Sequence, residues 1–130
     1  MRAPIIVCGL LLAACTTGGV PREPFDDVPV PAEWTPYSRE WLMIRTPGAV
    51  AARLVYFTES KVEPALEQAR ALLLRSGWTE KGSERFVNPQ GFNGVHADFA
   101  KDEDTCRVTV IESAQATHVD YSLARRDPGR

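Results

Sequence analysis

Apolar and polar positions change rhythm along this chain. Ile5 to Leu12 is an almost unbroken apolar run. A stretch without period follows, where Pro21, Pro24, Pro29 and Pro31 oppose helix and central strand alike. Trp41–Arg45 and Ala52–Thr58 are short runs suited to strands. Thr46-Pro47-Gly48 between them carries turn chemistry, so the two are expected to pair as a hairpin. Val62, Leu66, Ala69 and Leu73 then recur at helical spacing, with Ala65 and Leu72 widening the stripe and Glu67, Gln68, Arg70 and Arg75 opposite. Ser60-Lys61-Val62-Glu63 has the spacing of a capping box. Gly77 stands where a left-handed residue ends a helix, with Trp78 placed to fold back onto Leu73.

Beyond the helix the period is two. Trp78 to Val87 reads as a strand with a turn at Lys81-Gly82-Ser83, and Asn88 to Gly94 as a loop. Val95, Ala97 and Phe99 alternate with His96 and Asp98. Cys106, Val108 and Val110 alternate with Arg107 and Thr109, and Thr117, Val119, Tyr121 and Leu123 with His118, Asp120 and Ser122. Lys101 to Asp104 reads as a charged hairpin turn. Strands joined this closely form an antiparallel meander, and the helix stripe is the cover available to its apolar face. The pattern predicts an α+β fold of two layers, one helix on a mainly antiparallel sheet, in the order β-β-α-β-β-β-β. The domain is expected over 38–124. Residues 15–37 read as a Pro-rich tether, extended at about 3 Å per residue. The alternative is that Val28 to Trp34 docks along the domain through Val28, Val30 and Trp34. Arg125 to Arg130 reads as a frayed polar tail.

Leu12-Ala13-Ala14-Cys15 closes the N-terminal apolar run. Arg2 precedes it as a single-charge leader, and Ala13 and Ala14 are the small residues a signal peptidase needs before its cut. The run is well short of the ~20 residues that span a bilayer as a helix. In position, length and cysteine this segment resembles the lipobox of bacterial lipoproteins. The resemblance implies that residues 1–14 leave as a signal peptide. It also implies that Cys15 carries a diacylglyceryl thioether on its sulfur and an acyl chain such as palmitate on its amine. Two or three chains anchor stably where one holds marginally. Thr16 and Thr17, and no Asp, follow Cys15. Within the resemblance this implies sorting to the outer membrane, with the domain facing the periplasm. Over residues 28–124, the order of elements, the Gly-Trp after the single helix and the lone late cysteine are similar to small proteobacterial lipoproteins. That similarity brings no catalytic residues.

Lys and Arg number 15 and Asp and Glu 17, mixed along the chain, for a formal net charge of -2. A nucleic-acid surface would need a basic patch. Of three cysteines, the resemblance implies that Cys8 leaves with the signal and Cys15 takes lipid. Cys106 shares its period with Val108 and Val110, so its thiol is expected in the core. A single remaining thiol forms no intramolecular disulfide. His96, Asp98, His118 and Asp120 are the candidate metal ligands. The strand from Thr105 to Ile111, expected between them, sets the two pairs about 10 Å apart, whereas zinc needs ligands within about 2 Å. They read as solvated strand faces. Asp102-Glu103-Asp104 lacks the Gly and distant Glu of a calcium loop. No Ser sits in a G-x-S-x-G elbow to serve as nucleophile. Arg125, Arg126 and Arg130 are candidates for contact with anionic headgroups. Phe92, between Gly91 and Asn93-Gly94, is the candidate anchor for a partner, with the core edge as its alternative. Together these imply a membrane-anchored envelope lipoprotein without cofactor or catalysis. It would act as an interaction module for another envelope protein, using a free sheet edge. The alternative is a small-ligand or metal carrier using His96, His118 and nearby carboxylates, with a hydrolase ranked below it.

Overall fold

The computed structural model describes residues 27–37 and 42–126. The signal segment, Cys15, the tether as far as residue 26, Trp41 and Arg130 lie outside the described residues. Within them the order is β1 (Thr35–Pro36), β2 (Leu42–Thr46), β3 (Ala49–Thr58), α1 (Val62–Arg75), β4 (Thr79–Val87), β5 (Asn93–Lys101), β6 (Asp104–Glu112) and β7 (Thr117–Arg126). This is an α+β fold dominated by a seven-stranded sheet ordered β1-β3-β7-β6-β5-β4, with β2 also on β3. Every pairing is antiparallel. The order differs from the expected one only by the two-residue β1, which shares an edge of β3 with β2. The β2–β3 hairpin joins the β4–β7 meander through the ten-residue β3–β7 ladder, so the last strand lies inside the sheet.

The helix connects β3 to β4, with β7, β6 and β5 between them in the sheet. Its apolar stripe decides which side faces in. Ala65, Leu66, Ala69 and Leu73 are buried in one cluster with Val95, Ala97, Phe99, Val108, Val110, Val119 and Tyr121. The C-terminal end behaves as its sequence dictates. Gly77 has φ +91°, Gly77 N–H donates to Leu74 O (3.3 Å), and Trp78 N–H donates to Leu73 O (3.1 Å). That pair caps carbonyls of the last helical turn and turns Trp78 back into the core. The N-terminal end differs from the expected capping box. Lys61 holds the cap position without a side-chain bond. Ser60 N–H donates to Thr58 Oγ1 (3.1 Å), and Glu63 is taken by Arg85 of β4. Buried Thr58 and cationic Arg85 thus compete for the groups the box would use. The expected turn at Lys81-Gly82-Ser83 is instead a register shift between Glu80 and Gly82 within a continuous β4. Pairing with β5 absorbs the extra residue as a bulge.

Packing against the domain already includes residues 27–37, ahead of the expected boundary at 38. Residues 27–37 are a strap against the domain, with Val28 and Trp34 each 4% exposed. Prolines exclude helix here but not extended packing, and the apolar spacing suits a chain lying along a surface. Trp34 meets Tyr56 of β3 (centroids 6.4 Å) and Tyr121 of β7 (6.5 Å), and these two meet each other at 6.1 Å. Tyr37 N–H donates to Val55 O (2.9 Å), holding the end of the strap on β3. The frayed tail is also corrected at its start, because β7 continues to Arg126, opposite Ala49.

Candidate functional site

Strand alternation sorts the polar side chains into two groups. On the sheet face away from α1, cross-strand rows read Val55–Asp120–Thr109–His96–Glu84 and Arg53–Ser122–Arg107–Asp98–Gly82. The strand between the two His/Asp pairs is β6, so the four candidate ligands are divided as their spacing implies. Each side chain has a different partner. Asp98 accepts from Arg107 Nε (2.7 Å) and Nη2 (3.1 Å), which holds its carboxyl below the ordinary value. Asp120 accepts from Arg53 Nε (2.6 Å). His96 stacks on Phe86 (centroids 5.6 Å) with Glu84 3.5 Å from its Nε2, and His118 meets Phe57 edge-on at 4.5 Å. Among the described residues no three His, Cys, Asp or Glu side chains converge on a metal position.

Cys106 is buried, and burial pushes its thiol up to about 12, which keeps it protonated and unreactive at neutral pH. Phe92 is half-buried at the end of a loop closed by Asn88, whose side-chain Oδ1 accepts Phe92 N–H (2.8 Å) and whose backbone N–H donates to Phe92 O (2.9 Å). Its backbone is fixed at both ends of the turn. Asp102, Glu103 and Asp104 are used separately. Asp102 takes the positive φ (53°) of the turn, Glu103 pairs with Arg126, and Asp104 turns inward.

Asp104 belongs to a constellation that sequence reasoning missed. Lys101, Asp104 and Arg125 continue the core-facing periods of β5, β6 and β7 by one more step, so three charges end three adjacent strands. Asp27 of the strap lies across them. Its carboxylate accepts from Arg125 Nη1 (2.6 Å), Arg125 Nη2 (2.9 Å) and Lys101 Nζ (3.2 Å). Its carbonyl accepts from Trp78 Nε1 (2.8 Å). Asp104 accepts from Arg125 Nε (3.1 Å) and Nη2 (3.0 Å), and from Arg126 N–H (3.1 Å). Lys101 Nζ also donates to Ser76 O (2.8 Å), serving a carbonyl at the end of α1 where a cation is favoured. Burial opposes the charge on Asp27, but the bonds from Arg125 and Lys101 outweigh it and hold the carboxyl below its ordinary 3.8. Two carboxylates and two cations balance. The arrangement is a clasp that locks the start of the strap onto the sheet, with Lys101 bridging to the end of the helix. The signal for it was parity, since Arg125 has the phase of Tyr121 and Leu123.

Compared with known families and curated proteins, the chain matches no family model and no curated protein. Among the described residues no helix is long and apolar enough to cross a membrane.

Proposed function

We propose that this chain is a bacterial envelope lipoprotein, held at the outer membrane by acyl chains on Cys15. Its two-layer α+β domain serves as a non-catalytic interaction module in the periplasm. The observation that carries the reading is the clasp at Asp27. It lies only twelve positions after the lipobox cysteine and fastens the incoming chain to β7, to β5 and to Trp78 just beyond the helix. The commitment of Asp98 and Asp120 to arginines and the protonated state of Cys106 favour binding over chemistry. The face away from α1, with its half-buried aromatic and paired charged residues, supports a partner-binding role.

Cys15→Ser tests the anchor. Wild-type protein is expected with the membrane fraction, with an N-terminal mass showing cleavage before Cys15 and added lipid. The variant is expected uncleaved or free of lipid. An unprocessed wild-type N-terminus, or identical fractionation and mass for both proteins, overturns the reading.

A further inference from the structure

Two indoles sit where the strap meets the domain, and only one of them is served by the protein. Trp78 Nε1 donates to the Asp27 carbonyl (2.8 Å). Trp34 Nε1 is shielded from solvent and has no partner among the described residues. Two further shielded atoms share that condition, the Tyr121 hydroxyl oxygen and Gln68 Oε1. Trp34 is 4% and Tyr121 0% exposed. Buried polar groups are almost always bonded, to protein or to ordered water, because an unmade bond costs the full desolvation of the group.

The three atoms belong to neighbouring side chains. The Trp34 and Tyr121 rings are 6.5 Å apart, and both meet Tyr56, at 6.4 and 6.1 Å. Gln68 of α1 holds the residue before Trp34, its Nε2 donating to Glu33 Oε1 (3.0 Å). That bond also fixes the amide. A carboxylate only accepts, so Nε2 faces Glu33 and Oε1 is the atom turned into the shielded side. The strap, the helix and β7 therefore each bring one unpartnered atom to the seam where Trp34 packs.

The hydrogen-bonding chemistry of the three says what joins them. Trp34 Nε1 only donates and Gln68 Oε1 only accepts. Tyr121 does both, since burial pushes its hydroxyl far above the ordinary value and keeps its proton on. No charged side chain is among the three, so the complement is neutral. Rings this close are in contact, which suits a molecule of water's size and not an organic ligand. Water accepts from Trp34, donates to Gln68 and bonds Tyr121 in either sense, which is the usual number of partners for a buried water.

We propose that one internal water molecule bridges Trp34 Nε1, the Tyr121 hydroxyl and Gln68 Oε1, joining the strap to α1 and β7 at once. The strap is then held at two points of different character, by charge at Asp27 and by a neutral bridge at Trp34. The site goes beyond the function proposed above and stands whether or not Cys15 carries lipid.

The test is NMR on the full chain labelled with nitrogen-15. The Trp34 indole N–H is assigned by its contacts to the Tyr56 and Tyr121 rings. It is expected to show a cross-relaxation peak at the water frequency, with the sign that separates held water from passing hydration. The Trp78 indole N–H, bonded to Asp27, is the reference and is expected to show none. In Tyr121→Phe the peak should persist, because Trp34 and Gln68 still hold the water. Melting should fall there by about 4 °C or more, as one bond of the bridge is lost. Absence of the peak in the wild type, a measurement that needs no variant to fold, overturns the proposal. Its loss in Tyr121→Phe assigns the signal to the exchanging hydroxyl proton and also overturns it. A Tyr121→Phe melting temperature unchanged or raised does the same, because the hydroxyl then had no bond to lose.

Discussion

On one face of the sheet Val108, Val110, Val119 and Tyr121 are completely buried. On the other, the residues between them in sequence, Arg107, Thr109, His118, Asp120 and Ser122, stay exposed or half-buried. The first face has two covers. α1 lies mainly over β6, and the strap adds Val28 and Trp34, with Trp34 against β3 and β7. The second has no covering element among the described residues, and its Arg53–Asp120 and Arg107–Asp98 pairs lie in contact with water. The same strands thus divide their labour by parity. One face supplies the stability, and the other is free to vary or to bind.

The sharpest way to break the contrast is Trp34→Ala. Truncating a buried indole costs about 3–5 kcal/mol, so calorimetry should show melting lowered by more than about 10 °C. A shift of a few degrees would mean the strap is a passenger on the covered face. Next comes Asp27→Ala, expected to cost about 1.5–3 kcal/mol at neutral pH because it removes charge-assisted bonds from Arg125 and Lys101. The sign of its pH dependence follows from the lowered carboxyl value. The stabilisation is complete above about pH 5 and is lost as the pH falls through the folded value, below about 4. Denaturant midpoints of wild type and variant should therefore converge in acid. A gap that stays constant to pH 2 would remove the carboxylate from the account.

Smaller effects are expected on the open face. Gly94→Ala is its most sensitive substitution, because an added Cβ would lie 2.5 Å from Phe86 Cζ. Pushing that ring off its glycine costs about 1–2 kcal/mol, and the ring resonances of His96, stacked on Phe86, should move. Arg53→Ala should change stability by less than about 1 kcal/mol, since exposed ion pairs contribute little. A loss comparable with that of Asp27→Ala would show the open face to be under hidden load.

Much of this architecture was legible because its signals are local. Alternation at Val95, Ala97 and Phe99, and again at Val119, Tyr121 and Leu123, assigned strands and faces together, and Gly77-Trp78 marked the helix end. The errors share another cause. Asp27 and Arg125 look solvated in isolation, and only their meeting, 98 positions apart in the chain, turns a wet linker and a loose tail into a clasp. Ser60 and Glu63 had the right spacing for a cap, but Thr58 and Arg85, contributed by neighbouring strands, claimed the same groups. Val28 and Trp34 were weighed as docking residues, yet proline composition alone cannot separate a free extended segment from a packed one. On the open face, the division of His96 and Asp98 from His118 and Asp120 followed from strand order. Their partners Arg53, Phe57, Glu84 and Phe86 come from strands whose register no local pattern reveals.

The clasp has a mechanical consequence. Tension on the chain ahead of Asp27 passes through its bonds to Arg125, and so into β7, which is flanked by β3 and β6 along its length. Force therefore reaches the middle of the sheet, where two ladders share it, before it can peel Trp34 or the short β1 from the edge. A tug strong enough to move the domain bodily can in this way leave its weakest seam closed.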